Sequence, residues 1–301
     1  MLHRAYRYRI YPTEDQKQFL EQHFGCCRFV YNHFLALRAK KWKNEQISVS
    51  GFDCKGMLPE LKRQHPWLAE VNSQSLQAAV LNLESAYRRF FKGLGKYPRF
   101  HKKHSRQACS VPQNFVLAEG KLRIPKLKTS IRIKHHRLLG GSPKNLTIIK
   151  ESSGKYYALV VCDCEPKPLP ASPHSVGVDL GLKDLAVLSS SEKIEQPKWL
   201  RKAEKRLAKA QCRPSRKVKG SNNRQKSRVL VARLHEHIKN QRKDILHKLS
   251  HRLIIENRVV SIEGLRVSNM VKNRPTAPTY THSSKKSKQV SSSCSYTRKY
   301  E

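Results

Sequence analysis

The sequence predicts an α+β protein of more than one domain, and three observations support that prediction. Apolar residues alternate with a period of two in residues 1–12, change to helical spacing over 13–95, and return to short β-type runs up to residue 165. A proline-rich segment at 166–174 then reads as a linker. Beyond it, two short apolar runs that each lead to an acid flank a long basic helical region, which indicates a second domain.

The first strand is predicted in YRYRIYP, where aromatic and aliphatic residues alternate with Arg7 and Arg9. We expect the apolar side chains to face a core, and the two arginines to form a basic outer face that meets an anion. Because β-type runs return at 96–165, the segments 1–12 and 96–165 are expected to close one β-domain around whatever lies between them.

The intervening residues 13–95 are predicted to form a helical insert. Thr13 followed by Gln16 is a capping-box pattern that marks the start of the first helix. The aromatic residues of that helix recur on one stripe, which favours a packed core over a surface for stacking bases.

Net charge restricts the class of partner. The 301 residues hold 61 Lys and Arg against 22 Asp and Glu, a formal charge of +39. Such a chain is expected to bind a polyanion, above all nucleic acid, although a basic ribosomal-type structural protein has the same composition. No stretch reaches the 18 apolar residues of a membrane span, and no apolar leader opens the chain. We therefore expect no membrane partner, no small-molecule substrate, and a cytoplasmic, nucleoid-associated location.

The eight cysteines contain no C-x-x-C pair, so the sequence predicts neither a zinc ribbon nor a thioredoxin-type redox motif. Zinc is expected to be absent, and the thiols are expected to be reduced and mostly buried.

Residues 199–258 are predicted to form a basic helical hairpin that turns at KGSNNRQ. Residues 201–258 hold 19 Lys and Arg against four Asp and Glu. This density favours contact with a phosphate backbone, with a merely solvated charged face as the alternative. The candidate nucleic-acid ligands are, besides Arg7 and Arg9, the hairpin residues Arg201, Lys202, Lys205, Arg206, Arg216, Lys217, Lys219, Arg224, Lys226 and Arg228.

Two acids stand at the ends of predicted strands. Asp179 follows Val176 and Val178, and Glu263 follows a continuous apolar run that starts at Val259 and predicts a strand buried on both faces. Sites in α/β sheets form at the carboxyl ends of strands, and carboxylate oxygens suit Mg²⁺. The pair is therefore a candidate metal and catalytic site for phosphodiester cleavage. The alternative is that each acid caps a helix or pairs with an arginine.

Seven motifs, in order, give the chain a resemblance to a known family over residues 1–273. They are GCCRFVYN, YPRFHKK, VPQNFVLAEGKLRIPKL, VGVDLGLKDLAVLS, KWLRKAEKRLAKAQCRPSRKVKGSNNRQKSR, HEHIKNQRKDILHKLSHRLIIEN and VVSIEGLRVSNMVKN. In these motifs the sequence resembles TnpB, an OrfB-type protein. Transposons encode this family, and its members are called transposases.

The resemblance implies a wedge-type β-barrel with an inserted helical recognition domain, followed over 175–273 by a RuvC-type nuclease domain of the RNase H-like α/β fold. It also implies a magnesium-dependent endonuclease that a guide RNA directs to double-stranded target DNA. Asp179 and Glu263 match the first two RuvC acids, whereas Asp184 matches a family position that is no metal ligand, and we expect it to stabilise a turn.

The sequence departs from the family after residue 273. The family continues with a zinc ribbon and a third catalytic Asp, whereas residues 274–301 are rich in Ser, Lys and Thr and hold one acid, Glu301. We expect a disordered tail unrelated to the family, an incomplete RuvC-type domain, and impaired catalysis. The alternative function is a non-catalytic remnant that occupies guide RNA or transposon ends.

Overall fold

The computed structural model describes residues 2–103, 106–165, 172–181, 184–195 and 197–264. The predicted linker therefore lies mostly outside the described residues, and so do 265–273 and the predicted tail 274–301. Contacts divide the chain into two compact units. The first combines Met1–Pro173 with Pro197–Arg258, and the second combines His174–Gln196 with the residues from Val259 onward.

A seven-stranded antiparallel sheet forms the β-part of the first unit, in the order β2-β6-β7-β1-β5-β4-β3. The strands are β1 Leu2–Tyr11, β2 Gln107–Val111, β3 Val116–Ala118, β4 Lys121–Arg123, β5 Ile131–Lys134, β6 Gly141–Lys150 and β7 Tyr156–Cys164. The first strand lies between β7 and β5, with Tyr6 opposite Val160 and Ile10 opposite Ile133. The prediction that the first strand joins the later ones is confirmed.

The sheet is a curled half-barrel among the described residues, because its end strands β2 and β3 are not paired with each other. Alternation in β1 follows the prediction: Tyr6, Tyr8 and Ile10 are buried, while Arg7 and Arg9 on the other face are half-buried.

The helical insert begins at the predicted capping box. The Gln16 amide donates to Thr13 Oγ1 at 3.4 Å, and the Thr13 amide donates to Gln16 Oε1 at 3.0 Å. A single hydrophobic cluster contains Phe24 and Phe34 of the insert together with the buried residues of β1, so the aromatic stripe is core as predicted. The insert consists of α1 Glu14–Glu45, α2 Gly51–Gly56, α3 Leu58–Gln64, a 3-10 helix at Pro66–Glu70 and α4 Ser73–Phe91.

The predicted hairpin is present as α5 Lys198–Ser215 and α6 Asn222–Glu256. Ile238 and Leu253 of α6 are buried. The sequence prediction counted the hairpin within 175–273, yet its packing groups it with the first unit. The physical reason is a contact with the large sheet, where Tyr157 Oη donates to Glu236 Oε1 at 2.5 Å and Lys155 Nζ lies 3.1 Å from Glu236 Oε2.

The second unit contains a four-stranded sheet in the order β10-β9-β8-β11. Its strands are β8 Ser175–Asp179, β9 Asp184–Leu188, β10 Lys193–Glu195 and β11 Val259–Ile262. The β8–β11 pair is parallel, whereas β9 pairs antiparallel with both of its neighbours. The prediction that β11 is buried on both faces is wrong, since Val259 and Ile262 are each 52% exposed. This strand lies at the edge of the sheet and pairs only with β8 among the described residues.

Within the described part of the chain, no helix is long and apolar enough to cross a bilayer. Six of the cysteines there are buried free thiols and Cys212 is exposed, in line with the prediction of mostly buried thiols.

Candidate metal centre and nucleic-acid interface

The parallel pairing of β8 with β11 brings the two predicted acids to one edge of the small sheet. Val178 pairs with Ile262, Asp179 is the last residue of β8, and Glu263 directly follows β11. The carboxyl ends of neighbouring parallel strands lie side by side, so both acids belong to the same edge. Both are exposed, which leaves their oxygens open to solvent or a ligand.

Strand β8 is fixed below Asp179 by buried side chains and by backbone hydrogen bonds. Val176 and Val178 are buried, and the Gly177 amide donates to Ser189 Oγ at 3.1 Å, while the Ser189 amide donates to the Gly177 carbonyl at 2.8 Å. These contacts fix the backbone that carries the first acid.

The backbone at Gly181 lies close to the start of β9. A Cβ added at Gly181 would lie 3.2 Å from the carbonyl oxygen of Asp184, the first residue of β9. The turn role of Asp184 stays a prediction.

The donor set of this edge fits a hard divalent cation, because carboxylate oxygens are the ligands that Mg²⁺ prefers. The described residues contain no group of three or more His, Cys, Asp and Glu side chains suited to a metal ion. Asp179 and Glu263 thus stand as a pair, and their role as magnesium ligands remains a prediction.

Arg7 and Arg9 have partners within the β-part of the first unit. Arg7 Nη2 donates to Glu151 Oε1 at 3.0 Å, and its guanidinium lies 3.8 Å from the ring centre of Tyr157. The Arg9 guanidinium lies 5.2 Å from the same ring. Their charge is still half-exposed, so the predicted contact with an anion would share these side chains with the protein's own packing.

Most of the predicted hairpin cations face solvent. Arg224 is half-buried, and Lys217 is engaged locally, since its Nζ donates to Ser227 Oγ at 2.7 Å. The side chain of Arg201 lies outside the described residues. The exposed members are Lys202, Lys205, Arg206, Arg216, Lys217, Lys219, Lys226 and Arg228.

A cavity of about 660 Å³ opens inside the first unit, between the hairpin and the β6–β7 turn. Cations on both sides line it, among them Lys103, Lys150, Arg228 and Lys239. The sequence prediction included Arg7 and Arg228 of the lining but not the three lysines, because no local pattern indicates which loop a distant helix will pack against.

Glu236 connects the two sides of this cavity. Burial would raise the pKa of its carboxyl, but the hydrogen bonds from Tyr157 and Lys155 outweigh burial and lower the pKa below its ordinary value. The carboxylate is therefore charged at neutral pH and holds the hairpin against the sheet.

Residues 159–274 match the OrfB family of IS605 elements, described as "Probable transposase". Residues 1–46 match its companion, described as "Helix-turn-helix domain", although the described residues of that range form β1 and one continuous helix, α1.

Two relatives carry the name "Putative RNA-guided DNA endonuclease". One, from Streptomyces pristinaespiralis, is 41% identical over 276 residues, which is 90% of this chain and 69% of that protein. The other, InsQ of Escherichia coli strain K12, is 34% identical over 274 residues, which is 89% of this chain and 68% of that protein. The chain thus spans about two thirds of the length of these relatives.

A solved structure shares the fold. It is a chain of the cryo-EM structure of the Cas12f1-sgRNA-target DNA complex, with a TM-score of 0.52 at 12% identity, covering 84% of this chain and 66% of that chain.

Proposed function

Because the chain belongs to the OrfB family of transposon-encoded transposases, also called TnpB, we propose that it is an RNA-guided, magnesium-dependent DNA endonuclease of the RuvC type. The observation that carries the proposal is the parallel pairing of β8 with β11, which brings Asp179 and Glu263 to the same edge of one sheet. Relatives named for RNA-guided DNA cleavage support guide RNA and double-stranded DNA as the partners.

In this function Asp179 and Glu263 would hold magnesium with their carboxylate oxygens. The ion would supply positive charge at the phosphodiester and favour attack by water. The chain itself contributes the placement of the two acids, because β8 is fixed by buried valines and by the Gly177–Ser189 hydrogen bonds.

The basic hairpin would hold the nucleic acid through its phosphates. Its exposed cations lie along two long helices, and phosphate contacts position a strand without reading its sequence. Sequence recognition would then fall to base pairing with the guide RNA, as it does in RNA-guided enzymes in general.

We further propose that the chain of 301 residues, by itself, cuts DNA weakly. A site for two divalent ions needs several carboxylate oxygens to offset the repulsion between the ions, and after Glu263 the only acid in the sequence is Glu301. If cutting is absent altogether, the chain would act as a non-catalytic protein that occupies guide RNA or transposon ends.

The test compares binding with cleavage. The chain is purified with a family-type guide RNA and assayed with magnesium, beside a version extended by a family-like carboxyl segment that supplies a third Asp. Asp179→Asn and Glu263→Gln should leave RNA binding unchanged, because the cationic surface holds the phosphates, and should abolish cutting in both versions.

Glu195→Gln is the matched control, since it neutralises an exposed acid at the end of β10 in the same sheet and should leave cutting intact. The catalytic assignment is contradicted if Glu263→Gln leaves cleavage unaffected. The assignment of weak cutting is contradicted if the unextended chain cuts as fast as the extended one.

A further inference from the structure

Residues 87–101, here called the aromatic-basic segment, expose several large apolar side chains close together in sequence. The segment begins in the last turn of α4 and continues into a stretch without helix or strand. Phe91 is 75% exposed, Leu94 68%, Phe100 58% and Tyr97 46%. Single exposed apolar residues are common, but four within ten residues form a group that a binding partner can cover.

The rings at the start of the segment are held in place by the core. Tyr87 is buried, and Phe91 stacks on it with ring centres 6.1 Å apart. The edge of Tyr97 meets the Tyr87 ring at 5.6 Å, and their hydroxyls are 3.0 Å apart. The Arg38 guanidinium lies 4.0 Å from the centre of the Tyr87 ring and fixes it further. Phe91 is therefore an ordered ring with most of its surface open.

The far end of the segment is anchored as well. His101 stacks on Tyr31 with ring centres 3.9 Å apart, and its backbone makes two hydrogen bonds to the side chain of Asn32, at 2.8 and 3.0 Å. Pro98 is buried between the two anchors. Phe100 is thus exposed on a stretch of chain whose ends are fixed, so presenting its ring costs little conformational entropy on binding.

The charge around these rings has one sign. No Asp or Glu occurs between Glu84 and Glu119 in the sequence. The exposed cations of the segment are Arg88, Arg89, Lys92, Lys96 and Arg99. Such a surface attracts a polyanion, whereas a partner without negative charge would leave these cations unpaired.

We propose that the aromatic-basic segment binds unpaired bases of a single-stranded nucleic acid, with Phe91 and Phe100 each stacking on a base while the neighbouring cations neutralise the phosphates. The proposal rests on the proposed function, which supplies nucleic acid as the partner, but it assigns a surface apart from the hairpin and from Asp179 and Glu263. Open aromatic rings interleaved with cations match a strand whose bases present their faces.

A double helix fits this surface less well. Its base faces are covered by stacking, so it offers phosphates to the cations and nothing to the rings. The rings therefore distinguish single-stranded segments, such as guide RNA loops or a displaced DNA strand, from duplex.

The test measures the affinity of the full chain for three short probes: a single-stranded oligonucleotide, the same length of abasic strand, and a duplex. Phe91→Ala and Phe100→Ala should each weaken binding of the base-containing strand by about fivefold to about 150-fold, the usual effect of one lost stacking ring. Affinity for the abasic strand and for the duplex should stay within twofold, since those probes use only the cations.

Two control variants separate stacking from other effects. Phe52→Ala removes a ring that is 84% exposed on α2, outside the segment, and should leave affinity unchanged. Leu94→Ala removes an apolar side chain of the segment that has no ring, and should weaken binding of the base-containing strand less than either phenylalanine variant does. Equal losses with the abasic strand, or an equal loss from Leu94→Ala, would overturn the proposal. So would unchanged affinity accompanied by a change in self-association, which would assign the surface to a second copy of the chain.

The outcomes also separate this proposal from the proposed function. If the wild-type chain binds the abasic strand and the duplex but gains nothing from bases, the stacking surface fails and nucleic-acid binding stands. If it binds none of the three probes, both fail.

Discussion

His23 lies inside the helical insert without a hydrogen-bond partner for either ring nitrogen among the described residues. It is 1% exposed and packs edge-on against Phe19 with ring centres 5.7 Å apart. Burial, helped by the charge of Lys126, lowers the pKa of His23 from 6.5 to about 4. Between pH 6.5 and about 4 the imidazole is therefore neutral in the folded chain, whereas in the unfolded chain it binds a proton.

This difference makes stability depend on pH in a defined window. Above pH 6.5 the histidine is neutral in both states, and as the pH falls from 6.5 towards 4 only the unfolded state gains the proton, so stability is lost. At 1.36 kcal/mol per pKa unit the loss amounts to about 3 kcal/mol. We expect His23→Leu to flatten the pH dependence of the unfolding free energy over this range, measured by urea denaturation. Parallel curves for wild type and variant would contradict the assignment.

At the scale of elements, the contact between α6 and the large sheet depends on Glu236. Its side chain is 8% exposed, accepts a hydrogen bond from Tyr157 and pairs with Lys155. Glu236→Gln would remove the negative charge that stabilises both contacts. Breaking a buried charged hydrogen bond costs about 1 to 3 kcal/mol. We expect faster amide hydrogen exchange along α6, and a smaller effect from Glu204→Gln, whose pair with Arg242 is half-exposed and joins α5 to α6 only.

The same contact should weaken in acid. Because the folded state lowers the pKa of Glu236, its contribution is present above the ordinary pKa of a glutamate and is lost as the pH falls through the lower folded value. Exchange along α6 that stays unchanged on acidification, or on Glu236→Gln, would show that other contacts hold the hairpin.

The elements themselves were largely predictable, because their signals are local. Thr13 and Gln16 mark the start of α1 from two positions, and the alternation of YRYRIYP predicts the buried face of β1. The exposure of β11 was not predictable, because an apolar run does not show whether the strand lies in the middle of a sheet or at its edge. The place of the hairpin depends on Tyr157 and Glu236, which are 79 positions apart, and no local pattern joins them.

The candidate site divides in the same way. A strand pattern followed by Asp179, and another followed by Glu263, predict two carboxylates at strand ends. The parallel register that makes them neighbours comes only from the folded sheet. The arginines of β1 were predicted to face an anion, and in the structure Arg7 contacts Glu151 and Tyr157 of the protein itself. An alternating pattern shows which face of a strand a side chain occupies but not which residues lie beside it.

At the scale of the whole molecule, charge is the dominant property. A formal charge of +39 disfavours the compact state through self-repulsion, and bound phosphates would relieve that repulsion. The hairpin concentrates the effect, since its exposed cations lie along helices that the rest of the first unit holds in place.

Salt dependence tests whether this charge makes specific phosphate contacts. Each phosphate that a cation neutralises lowers log affinity by about 0.7 to 0.9 per tenfold increase in salt. We expect Lys226→Gln, which removes an exposed cation of α6, to reduce the slope of log affinity against log salt by about that amount, for any nucleic-acid sequence. Lys43→Gln makes the same change in net charge at the end of α1 and should leave the slope unaltered. A cation that contacts no phosphate releases no counterion, which is why the Lys43 variant should keep the wild-type slope. If both variants reduce the slope equally, net charge and not the hairpin surface governs binding.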